Sequence, residues 1–170
     1  LWNRVAGGRK RKVAQQKRAH GDGLTIDLDA PEAFEEVLWK MYWPEKYEGG
    51  SIDLWRADDR KMEAENFILQ HMEKIIRART ADIPHDSRGT ARYCSKNNTN
   101  IARIPLLLNA FPGCRIVVPL RRPECHAASM LRQHRNFLRL QSEDEFVRRY
   151  MRDIGHVEPG RIHLPTRLLG

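Results

Sequence analysis

Several features that place proteins in membranes or in oxidising compartments are missing from this sequence. It has no apolar run approaching the ~20 residues that a membrane-spanning helix requires, and no signal-peptide pattern. Its three cysteines, Cys94, Cys114 and Cys125, lack CxxC spacing and are interpreted as reduced thiols. We therefore expect a cytoplasmic protein without a membrane span. The first residue is Leu rather than Met, which predicts that the sequence is part of a longer chain.

Two kinds of ligand-binding motif are also missing. No GK[ST] phosphate loop occurs, which argues against a relative of the nucleotide kinases. Cys125, His126 and His134 do not have the spacing of metal ligands, so no metal site is predicted. After Gly155 the hydrophobic pattern is lost, and we expect an irregular tail over residues 154–170.

Acidic residues are absent from the first 20 positions, which hold seven Lys or Arg. The formal net charge is +8, so the rest of the chain is nearly neutral. Residues 1–20 are interpreted as a basic arm, with two alternatives: a polyanion- or nucleic-acid-binding module, or a solvated helix. No aromatic residue interleaves with the basic run, so base stacking has no support and a nucleic-acid partner is disfavoured.

Residues 24–90 are predicted to form a helical region that faces an acceptor substrate. Leu24–Leu28 alternates like a short strand, and a helix follows Pro31. Three aromatic residues crowd the end of this first helix, near three acids; they are Trp39, Tyr42 and Trp43, and Glu32, Glu35 and Glu36. They could line an acceptor pocket, but a core face beside a solvated acidic face is the favoured interpretation. The longest helix is expected over residues 57–79, with Met62, Leu69, Met72 and Ile76 buried.

Residues 91–153 are predicted to form strand, helix, strand and helix. The β-branched run Ile116, Val117 and Val118 is typical of a parallel strand that is buried on both faces. Pro123 suits the first turn of the next helix, whose buried face should include Ala127, Ala128, Leu131 and Phe137. Ser142 would cap a final short helix through Met151. In a right-handed crossover, Lys96 and Arg121 would meet at one edge of the sheet.

The frame RRPECHAAS resembles the 3′-phosphate motif of sulfotransferases, which use 3′-phosphoadenosine 5′-phosphosulfate (PAPS) as donor. The preceding order of Lys96, a Leu-rich helix, Phe-Pro-Gly and a strand is also similar. The resemblance implies that Arg121 and Ser129 hold the 3′-phosphate and that Lys96 stabilises the leaving group. It implies an α/β fold, a P-loop-NTPase-like parallel sheet with flanking helices. Transfer would go to a hydroxyl or amine on a small molecule or carbohydrate.

The sequence departs from that family in three ways, one of which is the absence of the family's later Arg-Lys-Gly element. The family's N-terminal phosphate loop is missing, so residues 1–170 are interpreted as a single partial domain holding half of a donor site. Asn98 stands where cytosolic members carry a His base, which leaves the base unassigned among Glu32, Glu35 and His20. An inactive scaffold, whose sheet is completed by another chain in an oligomer, is a further alternative.

Overall fold

A computed structural model describes residues 16–17, 25–26, 35–81, 89, 91–155, 157 and 160–168. Its helices are α1 (Glu35–Tyr42), α2 (Met62–Arg79), α3 (Ile104–Ala110), α4 (Pro123–Glu143) and α5 (Glu145–Asp153). There are also two 3₁₀-helices in these ranges. Pro44–Tyr47 follows α1, and Asn98–Arg103 leads directly into α3. None of the helices in these ranges is long and apolar enough to cross a membrane.

The predicted α/β fold is wrong for this part of the chain, which is mainly helical. Two short strands, β1 (Gln16–Lys17) and β2 (Thr25–Ile26), pair in an antiparallel ladder. An isolated parallel bridge joins Ile52 to Thr166. Neither belongs to a P-loop-NTPase-like parallel sheet, and no strand pairing joins residues 91–97 to residues 114–122 within the described ranges.

The β-branched run that predicted a buried strand lies on the surface instead. Residues 114–122 are neither helical nor paired. Val117 is 85% exposed and Leu120 is 90% exposed. A continuous apolar run becomes a central strand only when a neighbouring strand accepts its backbone hydrogen bonds on each side. No such neighbour lies in the described ranges, so the segment has the composition of a strand without its environment.

Tryptophan side chains form the centre of the core, where α1, α2, α3 and the segment after α5 meet. Trp39, Trp43 and Trp55 are each 1% exposed. Smaller apolar side chains from four different segments fill the space around them, namely Ile52, Ala64, Ile68, Ala102, Leu106 and Val157. The helix predicted after Pro31 is confirmed over its described part, α1. A helix was also expected before Phe111, and it is present as α3, with Pro105 in its first turn, where proline is tolerated.

The structure corrects both the start and the buried face of α2. The helix begins at Met62, because Asp59 fixes an irregular turn by accepting a hydrogen bond from the Arg56 backbone N–H at 2.7 Å. Ala64, Ile68 and Ile75 are its buried apolar residues. Met62 and Leu69, which were expected inside, are 65% and 43% exposed. The apolar residues of α2 extend around more than one face, so periodicity alone did not select the packed one.

Helix α4 begins at Pro123 as predicted, but only its second half packs against the body. Phe137 and Gln141 are buried. The predicted buried positions Ala127, Ala128 and Leu131 are exposed. The cap of α5 also differs from prediction, because Asp144 rather than Ser142 accepts the N–H groups of the first turn. An Asp in this position is as good a cap as Ser.

Candidate functional site

The three residues predicted to bind the donor lie on the surface of the described structure. Lys96 is exposed in the extended segment 91–97. Arg121 is exposed just before α4, and Ser129 is half-buried about two turns into that helix. None of the three side chains forms a hydrogen bond or an ion pair with another residue in the described ranges. The expected convergence at the edge of a parallel sheet is therefore wrong for the described ranges, because that sheet is not formed.

Two adjacent arginines stand at the start of α4. Arg121 and Arg122 directly precede Pro123, the first residue of the 21-residue helix. Arg122 lies 3.8 Å from the Glu124 carboxylate, and these side chains are 83% and 73% exposed. An ion pair so open to water contributes little. The two guanidinium groups and the positive end of the helix dipole therefore act in the same region.

A second cluster, which the sequence did not predict, lies inside the core around a buried ion pair. Arg103 is completely buried, and its Nη2 donates to both carboxylate oxygens of Glu36 at 2.8 and 2.9 Å. Glu36 also accepts hydrogen bonds from the Tyr47 hydroxyl and from Asn97 Nδ2. Four donor contacts on one carboxylate offset the cost of taking its charge out of water.

Two indole rings enclose the Arg103 guanidinium. Its central carbon lies 4.5 Å from the ring centroid of Trp39 and 4.9 Å from that of Trp55. Nε and Nη1 of Arg103 are buried without an oxygen acceptor. The π faces of the rings take the place of such acceptors, because a cation is attracted to the negative face of an indole. Arginine suits this environment better than lysine, since a planar guanidinium stacks on aromatic rings.

Glu35, the neighbour of Glu36 on α1, fixes the extended segment 91–97. It accepts hydrogen bonds from Ser95 Oγ at 2.6 Å and from the Tyr93 hydroxyl at 3.2 Å. Asn97 continues the series by donating to Glu36 at 2.6 Å. Alternate side chains of an extended segment point to opposite sides. The even-numbered residues, including Lys96, are accordingly exposed.

We name this set the buried carboxylate network; it comprises Glu35, Glu36, Tyr47, Tyr93, Ser95, Asn97 and Arg103. Burial is the main cause that raises the pKa of Tyr47, with the Glu36 carboxylate acting in the same direction and Arg103 opposing it. The phenol therefore stays protonated and donates to Glu36. Every carboxylate oxygen of Glu35 and Glu36 accepts at least one hydrogen bond from within the protein, so the network ties α1 to the extended segment 91–97 and to the core.

The network corrects the interpretation of α1 as a helix with a solvated acidic face. Glu35 and Glu36 are 4% and 5% exposed. Trp39 and Trp43 belong to the core, as the favoured interpretation of the aromatic residues expected. Glu35 is engaged by three donors, which makes it a poor candidate for the acceptor's base. The other two candidates, Glu32 and His20, lie outside the described residues.

Comparisons with protein-family models, with curated proteins and with solved structures give no match to this chain. Most of the predicted basic arm, residues 1–20, lies outside the described residues. In its described part, Gln16–Lys17 forms a strand rather than a helix.

Proposed function

We propose that this chain is a sulfotransferase-like protein that binds the 3′-phosphate of PAPS, or of its product adenosine 3′,5′-bisphosphate (PAP), at the start of α4. Arg121 and Ser129 are the proposed phosphate ligands, and Lys96 the group that stabilises the leaving phosphate. The sulfuryl group would pass to a hydroxyl or amine acceptor. The proposed setting is the cytoplasm, where free thiols such as that of Cys125 stay reduced.

One observation carries this proposal: two arginines without a buried acidic partner stand directly before the N-terminus of a long helix. Backbone N–H groups in the first turn of a helix have no partner within the helix and favour anions. Arginine binds phosphate oxygens through two parallel N–H groups. Ser129 is half-buried on that helix, and helical side chains tilt toward the N-terminus of the helix, the end at which Arg121 and Arg122 stand.

The order of elements around this corner also supports the proposal. The extended segment 91–97, the helix α3, the extended segment 114–122 and the helix α4 follow one another as in the motif. Glu124 in the first turn of α4 acts against anion binding, since its carboxylate competes for Arg122. The Glu124 side chain is 73% exposed, so solvent screens the attraction between its carboxylate and Arg122.

Calorimetric titration with PAP tests the proposal. The wild type should bind PAP, and Arg121→Ala should weaken binding at least about tenfold, because a charge-assisted hydrogen bond contributes about 1.5–3 kcal/mol. Ser129→Ala should weaken binding less. The matched control is Arg135→Ala, which removes the same charge from α4 at a position about 18 Å beyond the start of the helix. Equal affinity in wild type and Arg121→Ala, or no PAP binding, would refute the assignment.

A second candidate is the inactive scaffold, in which segment 116–120 pairs with the same segment of another copy of this chain. The observation that favours it is the exposure of Val117, Val118 and Leu120, at 85%, 65% and 90%. An extended apolar segment with unpaired backbone groups is a template for strand addition. The double variant Val117→Lys, Leu120→Lys should then convert an oligomer to a monomer in sedimentation analysis. A wild type that is monomeric at high concentration would exclude this candidate.

A further inference from the structure

A cleft on the side of the molecule formed by α1 and the segment after α5 has a strongly cationic lining. Its volume is about 370 Å³. Four of the residues that line it are basic or imidazole side chains, namely Lys40, Arg152, Arg161 and His163. No Asp or Glu is among its described lining residues. A concave surface lined by charge of one sign focuses the electrostatic field and raises the local concentration of counter-ions.

None of the cationic groups of the cleft forms an ion pair with another residue that the structure describes. Lys40 Nζ donates at 3.1 Å to the backbone carbonyl of Arg152, which is a neutral acceptor. The side chains of Arg152 and Arg161 are exposed and form no ion pair with any described residue. The three formally positive residues that line the cleft come from α1, from α5 and from the segment after α5.

The remaining lining is mostly apolar. Val157 is 2% exposed and packs into the core, while Ile162 and Leu164 are half-buried beside it. Small-molecule sites combine an apolar wall with a few converging polar groups, and their volumes are about 300–1,000 Å³. The cleft fits that description, with its polar groups all of one charge. The ligand it suits is an anion with an apolar part.

The loop that forms the cleft is fixed in place from both sides. The Leu164 backbone N–H donates to the Val157 carbonyl at 2.8 Å, which closes the loop on itself. The Arg161 backbone N–H donates to Gln141 Oε1 at 2.6 Å, and the Gly160 N–H donates to His134 Nδ1 at 3.2 Å. The Arg161 contact holds the backbone and does not use the side chain, which is exposed. A preformed site avoids the entropy cost of ordering a loop on binding.

We propose that this cleft binds a small organic anion, a phosphate or sulfate ester with an apolar body, through Lys40, Arg152 and Arg161. The proposal does not depend on PAP binding at α4, because the two sites share no residue. The guanidinium group of arginine can donate two parallel hydrogen bonds to the oxygens of a phosphate or sulfate group. The apolar side of the cleft would contact the organic part of the ligand.

Calorimetry with phenyl phosphate as the probe tests the proposal. Arg152→Ala and Arg161→Ala should each weaken binding at least tenfold. Arg149→Ala is the matched control, because Arg149 is exposed on the same helix as Arg152 and does not line the cleft. Inorganic phosphate should bind more weakly than phenyl phosphate if the apolar wall contributes. Arg121→Ala should leave phenyl phosphate binding unchanged, which separates this site from the proposed donor site.

Three outcomes would overturn the inference: no binding of phenyl phosphate, equal affinity in Arg152→Ala, Arg161→Ala and wild type, or an equal loss in Arg149→Ala. The last would show attraction to net charge rather than to the cleft. Arg152 and Arg161 are exposed, so their replacement should leave thermal unfolding nearly unchanged. Should an alanine variant unfold, Arg161→Lys retains the charge and should bind more weakly than wild type through loss of the guanidinium fork.

Discussion

Replacing Arg103 by Met tests whether the buried carboxylate network holds the core together. The substitution keeps a long side chain between the rings of Trp39 and Trp55 but removes the charge that Glu36 faces. Removal of one partner of a buried ion pair typically costs about 3–5 kcal/mol, because the other charge stays buried without compensation. The loss of the cation–π contacts acts in the same direction. We expect the free energy of unfolding to fall by about 3–5 kcal/mol.

Urea unfolding followed by tryptophan fluorescence measures this change, since Trp39 and Trp55 contact the substituted side chain. In thermal unfolding the same loss corresponds to a decrease of roughly 6–20 °C in Tm for a domain of this size. The matched control is Arg77→Met. Arg77 pairs with Glu73 at 3.3 Å, but these side chains are 81% and 62% exposed. Its removal should cost less than about 1 kcal/mol.

The double variant Glu36→Gln, Arg103→Met separates the charge from the packing. Removal of both charges eliminates the uncompensated carboxylate, so the double variant should be more stable than Arg103→Met alone by about 2 kcal/mol or more. The reasoning would be refuted if Arg103→Met cost no more than Arg77→Met. It would also be refuted if the second substitution lowered stability further by its full individual cost.

Two other substitutions test the surroundings of the core. Gly155→Ala should destabilise the protein more than Gly49→Ala. Both glycines have positive φ, 81° at Gly155 and 70° at Gly49. A Cβ at Gly155 would lie 2.6 Å from a buried acidic side chain of α1, whereas a Cβ at Gly49 would have no atom within 4 Å. The control should cost about 1–2 kcal/mol for the backbone conformation alone, and equal costs in urea unfolding would contradict the close approach. Asp59→Asn should reduce the loss of stability in acid. Burial acts to raise the pKa of Asp59, but hydrogen bonds from Lys46 and from a backbone N–H outweigh the effect of burial, so the pKa is lowered. The stability from this lowered pKa is present above the ordinary Asp value and is lost as pH falls toward the lowered one. Melting curves between about pH 6 and pH 3 should therefore show a flatter acid limb for the variant, and an unchanged limb would remove Asp59 as a source of the dependence.

Local signals in the sequence predicted helices better than they predicted packing. Pro123 marked the first residue of α4 because a proline in the first turn costs no hydrogen bond. The prediction of a strand over 114–120 was wrong. A β-branched run indicates only a local preference for strand, whereas strand pairing depends on residues far away in the chain. The prediction of the buried face of α2 was wrong for a related reason. Apolar residues lie on more than one side of this helix, so the sequence alone did not indicate which side packs against the core.

Arg103 could not be found from the sequence because arginine is almost never fully buried unless it is paired. The pair and its two tryptophans come from positions 36, 39, 55 and 103, so no local pattern connects Arg103 to the residues that it contacts. A weaker signal did exist. Tyr93, Ser95 and Asn97 place hydrogen-bond donors at every second position of an extended segment, which indicates that one side of it faces acceptors.

That alternation connects the buried carboxylate network to the proposed donor site. Because Ser95 and Asn97 point at Glu35 and Glu36, Lys96 between them has to point away from the core. A shift of the segment by one residue would reverse every side chain and bring the Lys96 ammonium against the acids, where it could no longer meet a ligand. Donor hydrogen bonds to two carboxylates prevent that shift. The outward direction of Lys96 is therefore set by acids that lie beneath it, and an anion that Lys96 binds has to approach from the face opposite α1.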